Sequence, residues 1–224
     1  MNNCLLNQHK RHFTATLALA AALGLSLLAS AVHAQGRTSP TVILVVGDSL
    51  SAEYGLARGK GWVALLEKKL LADNYTAKVV NASISGDTTS GGRSRLPALL
   101  AQHKPTHVII ELGANDALRG LPTNMTSNNL VTMTDAAQKA GAKVLLLGMQ
   151  LPPNFGGDYG KQFASMFEKV ALSKKTGLVP FFLKDVADTA DPVKLFQADR
   201  IHPKAEAHPI MLNNVWPELK KLLL

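Results

Sequence analysis

One serine follows the first strongly apolar run of the chain, in the segment VVGDSLSAEYG that spans residues 45–55. Ser49 has the chemistry of a nucleophile, because a serine hydroxyl attacks acyl carbonyls once a neighbouring base accepts its proton. Taken alone, the segment is more typical of a turn, since a glycine such as Gly47 can adopt positive φ without cost and an aspartate such as Asp48 can bond to the local backbone. The interpretation of Ser49 therefore depends on the groups that the rest of the chain brings to it.

The segment ADRIHP near the C-terminus contains both partners that such a nucleophile needs. His202 can accept the proton of the serine hydroxyl. Asp199 lies three residues earlier, so its carboxylate can contact the imidazole, fix its tautomer and stabilise the imidazolium. Alone, each residue is more typical of a helix entry or a helix cap. Together they predict a Ser-His-Asp triad.

Donors for a tetrahedral oxyanion are also present. The backbone N–H of Gly86 in SGD, the side-chain amide of Asn115 in GAND and the backbone N–H of Ser49 are suitable. One such donor contributes about 3 kcal/mol to transition-state stabilisation. The alternative is that Gly86 makes a turn and that Asn115 caps one.

The elements that must position these residues alternate along the chain. Short apolar runs predict strands at 41–46, 77–83, 107–113, 143–148 and 178–183, and amphipathic stretches predict helices at 61–72, 88–102, 126–140, 159–175 and 204–223. This alternation favours a parallel sheet with helices on both faces. Ligands bind at the carboxyl ends of such strands. The candidate residues follow strands, so we expect them at one edge.

Composition and motifs exclude several classes of function. The chain has neither a GxxxxGK[ST] loop nor a GxGxxG after a strand, so nucleotide binding is unsupported. His202 and His208 are six residues apart without further ligand spacing, so we expect no metal and no cofactor. The net charge is +8, but the lysines are scattered and only 5% of residues are aromatic, which disfavours nucleic acid as a partner.

The first 34 residues predict a cleavable signal peptide. Lys10 and Arg11 precede an apolar run at 13–31, and VHA stands before Gln35. The alternative is an uncleaved anchor, since 13–32 is about long enough to span a bilayer. Cleavage would remove Cys4, the one cysteine, together with both cations, which lowers the net charge from +8 to +6. We expect a periplasmic or secreted protein with one domain at 35–224 and no disulfide.

The segments GDSLS, SGD, GAND and DRIHP resemble, in order and position, the sequence blocks of the SGNH (GDSL) hydrolase family. The resemblance covers nearly all of 40–224 and is closest to the bacterial periplasmic thioesterase, lysophospholipase and arylesterase group. It implies Ser49 as nucleophile, His202 as base and Asp199 as its orienting partner, with Ser49, Gly86 and Asn115 forming the oxyanion hole. It also implies a flavodoxin-like three-layer α/β/α fold with five parallel strands.

Two segments depart from the family pattern. Gly91 and Gly92 make the start of the second predicted helix richer in glycine, which favours a loosened helix end. Arg200 stands between Asp199 and His202, where a small residue is usual in this family, and we expect it to alter the rim of the site. Neither departure removes a catalytic group.

The resulting hypothesis is a serine hydrolase that cleaves small-molecule carboxylic esters or thioesters through an acyl-enzyme. Two apolar loops predict a substrate groove for an acyl or aryl group, formed by Leu118, Leu121, Met149, Leu151 and Phe155. The alternative is that these side chains simply pack the loops. By the same resemblance, 116–121 is the segment expected to close on an acyl chain. We expect a monomer that makes transient contact with membrane lipids.

Other functions use the same fold or the same residues. A carbohydrate O-acetyl esterase or an acyltransferase would need the same catalytic groups, so the sequence leaves both open. A non-catalytic periplasmic binding module would be expected to lose at least one of the five site residues, and all five are present. An α/β-hydrolase is disfavoured, because GDSLS lacks the second glycine of G-x-S-x-G and the Asp and His are only three residues apart.

Overall fold

Five strands form one parallel sheet in the computed structural model, which describes residues 40–224. They are β1 (Thr41–Gly47), β2 (Ala77–Asn81), β3 (His107–Glu111), β4 (Lys143–Leu147) and β5 (Gly177–Val179). The five predicted strands and the α/β class are confirmed. Strand β5 ends earlier than predicted because Pro180 has no N–H to continue a ladder. The predicted signal peptide at 1–34 lies outside the described residues.

Six α-helices lie between and after these strands in the described part of the chain. They are α1 (Trp62–Ala72), α2 (Thr89–His103), α3 (Ala114–Leu118), α4 (Thr123–Lys139), α5 (Gly157–Lys174) and α6 (His208–Leu223). Short 3₁₀ turns occupy Pro153–Phe155, Pro192–Leu195 and Ala205–Ala207. The single-turn helix α3 was not predicted. None of the helices described for residues 40–224 combines the length and the apolar character needed to cross a membrane.

The strand order β2-β1-β3-β4-β5 explains why the chain gathers its polar segments at one place. The connection from β1 leads outward to β2, and the next one returns to β3 on the other side of β1. Val45 pairs with Asn81 of β2, and Gly47 pairs with Glu111 of β3. Such a reversal of direction opens a crevice at the carboxyl ends of the two central strands. Ser49 and Asn115 follow these two strands directly.

Helices cover both faces of the sheet, which gives the three-layer α/β/α sandwich. Helix α1 packs against α6, while α2 packs against α4 and α4 against α5. Right-handed crossovers place the first pair and the second group on opposite faces. The central strands are therefore buried on both sides, and their apolar residues run almost without interruption, as in Ile43–Val46.

Helix α2 does not show the loosened start that its glycines favoured. The helix is regular from Thr89, and the hydroxyl of its N-cap Thr88 accepts a hydrogen bond from the N–H of Gly91 at 3.3 Å. Gly92 is buried, and a Cβ there would lie 2.3 Å from Cδ1 of Leu112. The absence of a side chain at Gly92 therefore allows α2 to lie close to the segment that follows β3.

Candidate active site

The structure brings Ser49, His202 and Asp199 into one hydrogen-bonded series. Nε2 of His202 lies 2.9 Å from Oγ of Ser49, and Nδ1 of His202 lies 2.7 Å from Oδ2 of Asp199. With Nδ1–H donating to the carboxylate, Nε2 is left as an acceptor that faces the serine hydroxyl. This is the arrangement in which an imidazole can take a proton from a serine while a carboxylate fixes its tautomer.

Asp199 is held by the turn it belongs to. Its Oδ1 accepts hydrogen bonds from the backbone N–H groups of Ile201 and His202, both at 3.0 Å. Arg200 closes this turn in the left-handed conformation, with φ of 59°. The hydrogen bond from the His202 side chain, followed by those from the two backbone amides, lowers the pKa of Asp199 to about 2. Asp199 is therefore a carboxylate throughout the neutral and mildly acidic range.

Aromatic packing and a glutamine bridge restrain the His202 loop. The ring of Tyr54 lies against the imidazole, with ring centroids 4.2 Å apart and an interplanar angle of 35°. Gln197 donates from Nε2 to the carbonyls of Tyr54 at 2.9 Å and of Pro203 at 3.1 Å. The backbone N–H of Gln197 also donates to the carbonyl of His202 at 2.8 Å. These contacts tie the C-terminal loop to the segment that follows Ser49.

The three candidate oxyanion donors meet at the same edge of the sheet. Within residues 40–224, the N–H groups of Ser49 and Gly86 have no protein acceptor. Gly86 has φ of +78°, a conformation that glycine adopts without strain. Nδ2 of Asn115 donates to Oδ2 of Asp48 at 3.0 Å and to the carbonyl of Asp87 at 2.9 Å. These two acceptors leave only one orientation for the Asn115 amide.

Two arginines brace the loop that carries Gly86. Nε of Arg95 donates to Oδ2 of Asp87 at 2.8 Å, and its Nη2 donates to the carbonyl of Gly47 at 3.3 Å. Nη1 of Arg95 donates to the carbonyl of Ala82. Arg119 donates to the carbonyl of Gly86 at 3.0 Å. The guanidinium of Arg95 thus links the ends of β1 and β2 to the loop beyond them.

A pair of buried carboxyl groups lies beneath the nucleophile. Asp48 and Glu111 are almost completely buried, and the backbone N–H of Asp48 donates to Oε2 of Glu111 at 3.3 Å. Burial raises the pKa of Glu111 well above its usual range, and the neighbouring charge of Asp48 adds to the shift. Burial also raises the pKa of Asp48, to about 6. Glu111 was not among the residues predicted from the sequence, since it stands at the end of an apolar run and its partner lies 63 residues away.

The candidate triad and oxyanion donors line one cleft of about 790 Å³. Leu118, Met149, Leu151 and Phe155 of the predicted groove also line it, whereas Leu121 is not among its lining residues. The carbonyl of Leu121 instead accepts a hydrogen bond from the hydroxyl of Tyr159 at 2.8 Å. The cleft also has apolar wall residues that were not predicted from the sequence, namely Tyr54, Leu183, Ala187, Phe196 and Ile201. These residues lie in irregular segments, where no periodic pattern marks a side chain as lining a cleft.

Among residues 40–224, no cluster of three or more histidine, cysteine, aspartate or glutamate side chains is placed to hold a metal ion. The acyl-transfer groups described above are side chains and backbone amides of the chain itself.

Comparison with known proteins gives consistent matches. The GDSL-like Lipase/Acylhydrolase family matches residues 45–210. "Esterase TesA" of Pseudomonas aeruginosa is 51% identical over 207 residues, which are 92% of this chain and 98% of that protein. "Thioesterase 1/protease 1/lysophospholipase L1" of Escherichia coli strain K12 is 39% identical over 181 residues, 81% of this chain and 84% of that protein. A crystal structure of TesA has a TM-score of 0.78 at 53% identity, covering 81% of this chain and 99% of that one.

Proposed function

This chain belongs to the GDSL-like lipase/acylhydrolase family, and we propose that it hydrolyses carboxylic esters and thioesters through an acyl-enzyme formed on Ser49. The observation that carries the assignment of residues is the relay from Ser49 to His202 at 2.9 Å and from His202 to Asp199 at 2.7 Å. In the first half-reaction, Nε2 of His202 takes the proton of Ser49 as Oγ forms a bond to the acyl carbon. Asp199 stabilises the imidazolium that results.

The carbonyl oxygen of the substrate becomes an oxyanion in this step. The N–H groups of Ser49 and Gly86 stabilise it, and Asn115 is the third donor, sharing one amide hydrogen between its protein acceptor and the oxyanion. His202 then gives its proton to the departing alcohol or thiol as the bond between the acyl carbon and the leaving group breaks. In the second half-reaction, a water molecule loses a proton to His202 and attacks the acyl carbon. His202 then gives this proton to Oγ of Ser49 as the bond between Oγ and the acyl carbon breaks and the acid leaves.

The apolar walls of the cleft favour a substrate with an acyl chain or an aryl group. These walls are supplied by Leu118, Met149, Leu151 and Phe155. Apolar contact with these side chains provides affinity for the substrate without selecting one particular leaving group. The leaving group is therefore less restricted than the acyl side. This agrees with a substrate range of both oxygen esters and thioesters.

The test is hydrolysis of p-nitrophenyl esters from acetyl to lauroyl and of acyl thioesters by the purified protein. Ser49→Ala should abolish turnover, while Ser85→Ala, which alters another serine of the same cleft, should retain it. A maximum at medium or long chains supports the acyl groove. A maximum at acetyl would instead favour an arylesterase or a carbohydrate O-acetyl esterase. Unchanged turnover in Ser49→Ala would exclude Ser49 as the nucleophile.

We also propose that the protein is exported to the periplasm or beyond, acts as a monomer and contacts membrane lipids transiently. Exposed apolar side chains surround the mouth of the cleft, namely Tyr54, Leu118 and Ile201. Arg200 is exposed in the lining of this cleft, and the exposed Arg119 donates to the carbonyl of Gly86 beside it. A cationic, apolar surface of this kind favours contact with anionic lipid. Every group proposed for catalysis comes from one chain, so a monomer suffices.

Co-sedimentation with vesicles of phosphatidylglycerol and phosphatidylcholine tests the lipid contact. Leu118→Ser and Ile201→Ser together should reduce the bound fraction, because they remove exposed apolar area at the mouth. The control is Leu71→Ser with Leu172→Ser, which removes leucines of α1 and α5 that are even more exposed than the two mouth residues, at 78% and 73% against 48% and 47%. Equal loss in both pairs, or no binding by the unaltered protein, would contradict this contact. Gel filtration with light scattering reports the oligomeric state in the same preparations.

A further inference from the structure

A series of buried polar groups runs beneath Ser49 and has no role in the acyl-transfer steps. Nε1 of Trp62 lies 3.1 Å from Oγ of Ser51, and that oxygen lies 2.7 Å from Oε2 of Glu111. Oε2 of Glu111 also accepts a hydrogen bond from the backbone N–H of Asp48 at 3.3 Å. The side chains of Trp62, Ser51 and Glu111 are excluded from solvent. Their hydrogen bonds must therefore be satisfied within the protein.

The direction of each hydrogen bond follows from the groups available. An indole N–H can only donate, so Oγ of Ser51 accepts from Trp62 and directs its own hydrogen to Oε2 of Glu111. Oε2 thus accepts twice, from Ser51 and from the Asp48 amide. If Glu111 carries a proton, that proton lies on its other oxygen.

Both oxygens of the Asp48 side chain accept hydrogen bonds. Its Oδ1 accepts from the backbone N–H of Leu50 at 3.0 Å, and its Oδ2 accepts from Nδ2 of Asn115 at 3.0 Å. The Glu111 carboxyl group lies beside it, since Oε2 of Glu111 accepts from the backbone N–H of Asp48. A carboxylate satisfies both donors and can still accept from Glu111, whereas a protonated Asp48 would set its own hydrogen against one of these donors. The proton between the two carboxyl groups therefore belongs to Glu111.

We propose that Glu111 is a permanently protonated positioning residue whose O–H holds the Asp48 carboxylate in the orientation that fixes the Asn115 amide for the oxyanion. This inference rests on the proposed function, which assigns Asn115 to the oxyanion hole. Complete burial and the nearby Asp48 charge raise the pKa of Glu111, which agrees with a neutral acid. Two ionised carboxylates in hydrogen-bond contact inside the protein would repel each other strongly.

Three substitutions separate a neutral positioning acid from a functional charge. In Glu111→Gln, the amide oxygen can accept from Ser51 and Asp48 while the amide nitrogen donates to the Asp48 carboxylate, so kcat should stay within about threefold. In Asp48→Asn, an N–H group replaces one of the two accepting oxygens of the Asp48 side chain. That variant should lose about 10² in kcat with KM nearly unchanged, as expected for a misplaced oxyanion donor. Glu111→Ala should lose activity through the same misplacement.

An infrared spectrum reads the proton directly and does not depend on activity. The unaltered protein at neutral pH should show the carbonyl stretch of a protonated, buried carboxylic acid, and Glu111→Gln should lack it. Ser49→Ala should keep this band even though it abolishes turnover. If Ser49→Ala instead keeps its turnover, the proposed function fails while the band still reports the state of Glu111.

Several results would overturn the proposal. These are a spectrum without the band, a Glu111→Gln variant as inactive as Glu111→Ala, or an Asp48→Asn variant with unchanged kcat. Near-ultraviolet circular dichroism establishes that each variant is folded. If Glu111→Ala does not fold, the comparison of Glu111→Gln with Asp48→Asn and the infrared band still decide the question.

Discussion

Asn115 shows how one side chain can be prepared for its role before a substrate arrives. Its amide hydrogens are directed by two acceptors, the Asp48 carboxylate and the carbonyl of Asp87. A donor that is already oriented stabilises an oxyanion without reorganisation during the reaction. The same acceptors also prevent the amide from turning its oxygen toward the developing negative charge.

The first prediction concerns this amide. Asn115→Ala should lower kcat by about 10² to 10³ while KM changes little, because the lost hydrogen bond strengthens only in the transition state. Asn154→Ala is the matched control, since Asn154 is an exposed asparagine in the lining of the same cleft. Steady-state kinetics on one p-nitrophenyl ester compares the two variants. An equal loss in both, or a loss confined to KM, would contradict the proposed role of Asn115.

At this scale, the sequence was most informative where short motifs carry chemistry. Ser49, Asp199 and His202 were predicted as a triad from residue type and spacing, and the structure brings their side chains together. Glu111 and Tyr54 could not be recognised in the same way. Glu111 is one polar residue in an apolar strand, and Tyr54 acquires meaning only because folding places its ring on His202.

At the scale of elements, the effect of a glycine in a helix depends on what packs around it, as helix α2 shows. Gly92 is the fourth residue of α2, and its missing side chain leaves room for Leu112 below the helix. Gly160 is likewise the fourth residue of α5, but a Cβ there would have no heavy atom within 4 Å. The two glycines thus occupy equivalent helix positions and differ in what surrounds them.

The second prediction follows from this pair. Gly160→Ala should raise the free energy of unfolding by about 0.5–1 kcal/mol, because alanine loses less conformational freedom in a helix. Gly92→Ala should lower it by about 1–3 kcal/mol, since the added methyl group must displace Leu112 in a packed interior. Chemical denaturation measures both. If Gly92→Ala instead stabilises the protein, Leu112 can move away from α2 at little cost in free energy.

The sheet and its main helices could be predicted because continuous apolar runs alternate with amphipathic ones. The boundaries were less accessible. Strand β5 is only three residues long, and the apolar residues after Val179 fill the core from a turn in which the N–H of Phe182 bonds to the carbonyl of Gly148. Helix α3 has a single turn after Gly113, too short for any period to appear in the sequence. Tertiary contacts, rather than local pattern, define these segments.

For the whole molecule, the buried carboxyl pair links the active site to stability. A carboxyl group with a raised pKa keeps its proton in the folded state at a pH where the unfolded chain has lost it. Unfolding then releases a proton, so the free energy of unfolding falls as pH rises. This is opposite to the effect of Asp199, whose lowered pKa favours the folded state above the acid range.

The last prediction uses this sign to locate the proton on Glu111. The pKa of Glu111 is raised well above 4.5, so from pH 6.5 to 8 its proton should cost the protein about 1.4 kcal/mol of stability per pH unit for as long as it stays bound. Asp48 lies in contact with Glu111, and with a pKa of about 6 it is mostly ionised at pH 6.5 and almost fully ionised at pH 8. The charge of His202 lowers the pKa of Asp48, and His202 is present in both proteins. His107 and His208, whose pKa values are lowered by burial, are also the same in both proteins. Glu111→Gln cannot release this proton, so its stability relative to the unaltered protein should rise steadily with pH.

Urea denaturation at several pH values measures this difference in stability. The control is Glu168→Gln, which alters an exposed glutamate of α5 and should give a curve parallel to that of the unaltered protein. A difference independent of pH would mean that Glu111 is ionised in the folded protein, and the positioning role derived for it would then be wrong.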